Sequence, residues 1–201
     1  MIVVGDFRGS PSFPERDFAG NSTGTGSPMK SEKPTLERIA VIAGSAFGLG
    51  LSPVLPGTCG ALLGVAIHVG IALSLPAHRH LMFLTLAFVA VCAANHLLTE
   101  WAEAYWNEPD PAHFVLDEVA GYLFVPMLFR EGELWKTALA GFVLFRIFDI
   151  FKLIPPARLV DRELHGPWGV LLDDLVSAGY AALILHFVHW FGPAGLLGPS
   201  S

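Results

Sequence analysis

Residues 81–98 read Leu81-Met82-Phe83-Leu84-Thr85-Leu86-Ala87-Phe88-Val89-Ala90-Val91-Cys92-Ala93-Ala94-Asn95-His96-Leu97-Leu98, a run without Asp, Glu, Lys or Arg. It is too long for a strand and shows no polar alternation, so it predicts a helix. Its length falls near the lower end of the roughly 17–25 residues that cross a bilayer. Two further segments match it, Cys59–Leu75 and Leu175–Phe191. They are set apart by Pro76-Ala77-His78-Arg79-His80 and by the acidic stretch Glu100–Asp110. Two shorter apolar segments, Val119–Phe129 and Thr137–Phe151, are bounded or interrupted by charge. The expectation is an all-α fold, a helical bundle that is multi-pass or otherwise embedded in a membrane.

Working outward, Thr35 reads as an N-cap with Glu37 and Arg38 in the first turn, and Leu51-Ser52-Pro53-Val54-Leu55-Pro56-Gly57-Thr58 reads as a break, two prolines and a glycine being unable to continue a helix. Residues 1–34 hold scattered charges and the run Gly20-Asn21-Ser22-Thr23-Gly24-Thr25-Gly26-Ser27. That stretch lacks a signal peptide's basic start and apolar run, and reads as a disordered tail before a helical domain over residues 35–195.

Composition agrees. Of 201 residues, 53% are hydrophobic and 15% charged, with a mean hydropathy of +0.54. Soluble domains carry about 25% charged residues, so these charges are too few to cover a soluble globule, and a bilayer is the implied partner. The net charge of −6 and the lack of a basic stripe argue against nucleic acid. Cys59 and Cys92 lie in apolar stretches without metal or disulfide spacing and read as small buried hydrophobes. Lys30, Lys33 and Arg38 precede the first segment, and Lys152, Arg158 and Arg162 occupy the last polar loop, which favours the cytoplasmic side for both.

Charges inside an apolar bundle are costly, about 2.5–3.5 kcal/mol each at the bilayer centre, so those present need pairing, water or a ligand. Three clusters stand out. Asp117-Glu118 opens an apolar helix, with Gly121 one turn on; helix capping is the plain alternative. Arg146, Asp149 and Lys152 follow an i, i+3, i+6 spacing that puts them on nearly one side of a helix, where an Arg–Asp pair that merely neutralises itself is the plain alternative. Asp173-Asp174 follows His165-Gly166-Pro167-Trp168-Gly169 and reads as a second helix opening. Five carboxylates facing one another would repel strongly. A hard divalent cation relieves that repulsion, and Mg²⁺ suits a phosphate substrate best, with Arg146, Lys152 and Arg158 on the phosphoryl oxygens.

In this order the clusters resemble the phosphatidylglycerophosphatase A family over roughly residues 35–190. The resemblance is carried by Gly48-Leu49-Gly50-Leu51-Ser52-Pro53, Pro56-Gly57-Thr58, Asp117-Glu118 with Gly121, and Phe145-Arg146-Ile147-Phe148-Asp149 with Lys152. It continues through Pro156, Arg158, Asp161-Arg162, His165-Gly166, Gly169 and Asp173-Asp174. Cys59, and the lack of a proline directly after Lys152, depart from the family's pattern. The resemblance implies an Mg²⁺-dependent bacterial inner-membrane enzyme that removes the terminal phosphate of phosphatidylglycerophosphate, an anionic phospholipid. It makes Asp117, Glu118, Asp149, Asp173 and Asp174 metal and catalytic candidates, and Arg146, Lys152 and Arg158 phosphate contacts.

Water activated by one or two ions is the expected nucleophile and an aspartyl-phosphate the lesser route. His165 is the candidate acid for the leaving oxygen, a solvated loop histidine being the plain alternative, and Thr58 reads as a helix cap in preference to a phosphate contact. Cysteine phosphatases need an Arg six residues after the Cys, where this chain has Val65 and Leu98. The Pro-Ser-Gly-His run of histidine-based lipid phosphatases is absent, as is the Asp-x-x-Asp-Gly phosphatidyltransferase signature. The non-enzyme alternative is a small ion-binding or transport module of the membrane. Either reading admits a homo-oligomer.

Overall fold

A computed structural model of the chain describes residues 34–151, 167–193 and 196–198. Among these residues every regular element is helical, as expected. α1 spans Pro34–Gly44 and a 3₁₀ turn covers Leu49–Leu51. Then come α2 (Pro56–Ser74), α3 (Ala77–Trp106), α4 (Leu116–Leu128), α5 (Leu134–Phe151) and α6 (Pro167–Phe191). Apart from Pro34, the expected N-terminal tail lies outside the described residues.

Several boundaries differ from the sequence reading. The ranges of α1, α2 and α6 each open on a proline. Proline suits a helix's first turn, where its missing N–H has no partner to lose and its fixed φ is already helical. Thr35 and Thr58 are therefore second and third residues of their helices rather than caps. The cap position of α2 belongs to Leu55, left-handed at φ 53°. α3 runs on past Leu98 to Trp106 because Glu100, Ala102, Glu103 and Ala104 are good helix formers. It closes at Asn107, whose left-handed backbone (φ 52°) sends its N–H to the Glu103 carbonyl.

α4 is the axis of the assembly, packed against α2, α3, α5 and α6 and buried on nearly every side. Its approach to α2 depends on missing side chains. Gly57, Gly60 and Gly64 line one face of α2, and a Cβ on Gly60 would lie 2.8 Å from Val115 Cβ, one on Gly64 3.0 Å from the Tyr122 ring. Small residues of this kind let helix backbones close up where van der Waals packing must do the holding. Gly121 plays the same part on the opposite face, toward Phe145 and Asp174.

Direction alternates along the chain. Gly121 meets Phe145 while Gly141 meets Val125, so α4 and α5 are antiparallel. α2, α4 and α6 run one way and α3 and α5 the other, which gathers residues 57, 117–118, 146–149 and 173–174 toward one end. Tyr122, Phe145 and Leu185 centre one buried cluster, and Leu84, Val119 and Leu123 a second. The outward faces are apolar, with Leu97 76% exposed and Trp190 75%. Among the described residues, three helices are long and apolar enough to cross a membrane: Pro56–Ser74, Ala77–Trp106 and Gly169–Phe191. Cys59 and Cys92 are free thiols, each half-buried rather than enclosed.

Gly121→Ala tests this packing. The new methyl would stand 2.7 and 2.8 Å from ring carbons of Phe145, which is fully buried and has no room to yield. Overpacking of this kind costs about 1–3 kcal/mol, so the thermal midpoint followed by circular dichroism in detergent should fall. An unchanged midpoint would mean that α4 is not clamped here.

Candidate metal and phosphate site

Asp117 and Glu118 are the second and third residues of α4, behind Val115 at the cap position. Asp117 is 5% exposed, and its Oδ1 and Glu118 Oε2 are sealed from solvent without a hydrogen bond. A surface cap explains neither. Asp173 and Asp174 do not open α6: they are its seventh and eighth residues, about two turns inside, and both are 4% exposed. The helix-opening reading is thus corrected, since the start belongs to Pro167.

One oxygen each from Asp117, Glu118 and Asp174 lies within 4.8 Å of the others. α4 and α6 can bring these groups together because Gly121 stands between them, its missing Cβ 3.0 Å from Asp174 Cβ. Asp174 Oδ2 is also buried without a hydrogen bond. Asp173 is enclosed nearby, but its carboxylate is not part of this trio.

α5 supplies Arg146 and Asp149, joined by a 2.5 Å contact from Nη1 to Oδ2 with both side chains largely buried. The intrahelical pair anticipated as the plain alternative does form. It also reaches beyond its own helix. The Asp149 charge is felt by both Asp117 and Glu118, and Arg146 Nη2 comes within 3.2 Å of where a Gly57 Cβ would be. Arg146 Nε is buried without a hydrogen bond.

Burial pushes the Asp117 carboxyl above the usual range, partly offset by hydrogen bonding from Glu118. Glu118 is pushed higher, by burial first and by the charge of Asp117 next, with Asp174 and Asp149 adding to it. Uncompensated carboxylates in a dry pocket hold protons for this reason. A hard divalent cation would be the other remedy, and the donors fit one: three convergent carboxylate oxygens, with no thiolate or imidazole in the group.

Gly57 escaped the sequence reading as a site residue. A Cβ there would collide with Glu118 Oε1, so the first turn of α2 forms a wall of the site only because the residue is glycine. The signal was Pro56-Gly57, a proline start followed at once by a residue with no side chain. Lys152, Arg158 and His165, also expected here, lie outside the described residues.

The profile of the family described as Phosphatidylglycerophosphatase A matches residues 42–189. A protein of Bacteroides thetaiotaomicron named "Putative phosphatidylinositol-3-phosphatase" is 34% identical over 160 residues, covering 76% of this chain and 94% of the relative. The Phosphatidylglycerophosphatase A of Escherichia coli is 33% identical over 153 residues, 75% of this chain and 84% of that protein. The protein of the same name from Haemophilus influenzae is 32% identical over 145 residues, 72% and 85% respectively. No solved structure matches the chain. Fold, acid cluster and relatives together define a helical phosphatase. The chain belongs to the phosphatidylglycerophosphatase A family.

The raised carboxyls set a pH dependence whose sign can be worked out. The folded, metal-free protein retains protons that the unfolded chain has already released, so its stability falls as pH rises through and above the usual carboxylate range. In EDTA the thermal midpoint should drop as pH is raised above the usual carboxylate range, and saturating Mg²⁺ should flatten the slope. A midpoint that climbs with pH in EDTA would contradict the assigned burial of these acids.

Proposed function

We propose that the chain hydrolyses the terminal phosphate monoester of phosphatidylglycerophosphate to phosphatidylglycerol and phosphate, in the bacterial inner membrane with its site toward the cytoplasm. The observation that carries this reading is the convergence of three buried, unsatisfied carboxylate oxygens beside a guanidinium at one end of an apolar bundle. Family membership supports the substrate, because two relatives bear that activity in their names. The three long apolar helices suit a lipid substrate.

Asp117, Glu118 and Asp174 would hold Mg²⁺. When bound, the ion would supply Lewis-acid polarisation of the phosphate and lower the pKa of a bound water. Arg146, held in place by Asp149, would steady the negative charge that grows on the phosphoryl oxygens during in-line attack. Asp149 stands outside the trio and accepts the proton of the attacking water, its carboxylate oriented by the contact with Arg146. Asp173 supports the trio from the adjoining position. Lys152 and Arg158 serve as further phosphate contacts, and His165 protonates the departing glycerol oxygen. The relative named for phosphatidylinositol 3-phosphate marks a second phospholipid monoester on which the same chemistry could act.

Phosphate release in detergent micelles tests the proposal. Release from phosphatidylglycerophosphate should require Mg²⁺, vanish in EDTA and exceed release from phosphatidylinositol 3-phosphate. Asp149→Asn and Asp174→Asn should each lower it about 10²-fold or more, on the scale of losing one electrostatic group of an active site. Gly57→Ala should lower it about 10-fold by displacing Glu118, with helix content intact. Metal-independent release, or full activity in both carboxamide variants, would overturn the assigned site.

A further inference from the structure

At the end of the bundle away from the carboxylates, the last turns of α2, the first of α3, the second half of α4 and the start of α5 line an open cavity of about 650 Å³. Small-molecule sites span about 300–1,000 Å³. The mechanism above uses none of its lining residues. Its inner wall is polar although it adjoins the core. Tyr122 is 1% exposed, and its hydroxyl donates to the Ala138 carbonyl at 3.3 Å and lies 3.1 Å from His68 Nδ1. A hydroxyl has one proton to give, so with it on the carbonyl the Nδ1–H of His68 donates to the Tyr122 oxygen and Nε2 keeps its lone pair. On the α3 side of the pocket, His80 Nε2–H donates to the Leu75 carbonyl at 2.8 Å, which in the neutral ring leaves Nδ1 as an acceptor. The exposed Arg130 and Glu131 complete the polar lining.

Two imidazole acceptors and a carboxylate call for hydroxyl donors, while a guanidinium calls for a phosphate. We propose that this cavity binds a polyol phosphate headgroup, with Arg130 on the phosphate and His68 and His80 accepting from the hydroxyls. The walls between these groups are apolar, including Leu84, Phe129 and Leu185. α2 and α3, which flank the cavity, are two of the three helices able to cross a membrane, so the headgroup of a phospholipid can reach the site from the bilayer face opposite the carboxylates. A soluble glycerol phosphate carries the same recognition groups. The inference stands apart from the catalytic reading, since it shares no residue with it.

The test uses the full chain in detergent micelles and follows the thermal midpoint against ligand concentration. The ligands are dioleoylphosphatidylglycerol, dioleoylphosphatidylcholine and sn-glycerol 3-phosphate. Phosphatidylglycerol should raise the midpoint and phosphatidylcholine should not. Arg130→Ala, at an exposed position that tolerates truncation, and His68→Gln should each weaken the apparent affinity about ten-fold, the loss of one charge-assisted or buried hydrogen bond. Asp149→Asn should bind as the wild type does. A response to glycerol 3-phosphate alone would assign the site to a soluble headgroup and a response to lipid alone to a membrane one; either supports the proposal. No preference over phosphatidylcholine, or a response kept in Arg130→Ala and lost in Asp149→Asn, would overturn it.

Discussion

Everything at the carboxylate end depends on how closely α2 approaches α4. With no Cβ at Gly57, Gly60 or Gly64, the backbone of α2 settles against Val115, Glu118 and Tyr122. α4 can then occupy the centre, and its other faces meet α3, α5 and α6 at once. Push the two helices apart and Glu118 no longer has Arg146 and the first turn of α2 as neighbours. Site geometry and bundle packing are thus one constraint.

The electrostatics follow from that crowding. Asp117, Glu118, Asp149 and Asp174 influence one another in a region where little water remains, and the guanidinium brought to them is Arg146. Because α2, α4 and α6 run in the same direction, their positive ends lie on the side of the carboxylates, which eases but does not cancel the repulsion. The remaining excess of negative charge makes a cation, and through it a phosphate, a natural complement of the site.

The helical class was legible because uninterrupted Leu/Ala/Phe runs have few other solutions, and the acids were legible because each is costly in such surroundings. What misled was proline. Pro56 read as part of a break when it is the first residue of a helix, and with it Thr58 was taken for a cap; Pro167 went unread as a start, so Asp173 and Asp174 were taken for a helix opening. Proline breaks a helix only after its first turn, and a one-dimensional pattern does not say on which side of it the hydrogen-bonded turns lie. Gly57 stood in the sequence only as part of a break and of the family's Pro56-Gly57-Thr58 pattern, since its importance lies in a contact with a residue sixty-one positions away. Cavities have no sequence signature at all: His68, His80 and Arg130 sit on separate elements and meet only in three dimensions.

The enclosure of α4 also sets an order in which the fold can be built. At 13 residues the helix spans only about 20 Å, short of a hydrocarbon layer about 30 Å thick, and it begins with two acids. It has neither the length nor the surface to enter lipid alone. The hairpin of α2 and α3 has both, so it can settle first and offer α4 a ready-made groove. α5 brings a charge pair that is neutral within its own turn and does not depend on any other helix. α6, made after the others, carries Asp174 to its partners, so the acids are not assembled until that helix has emerged from the ribosome.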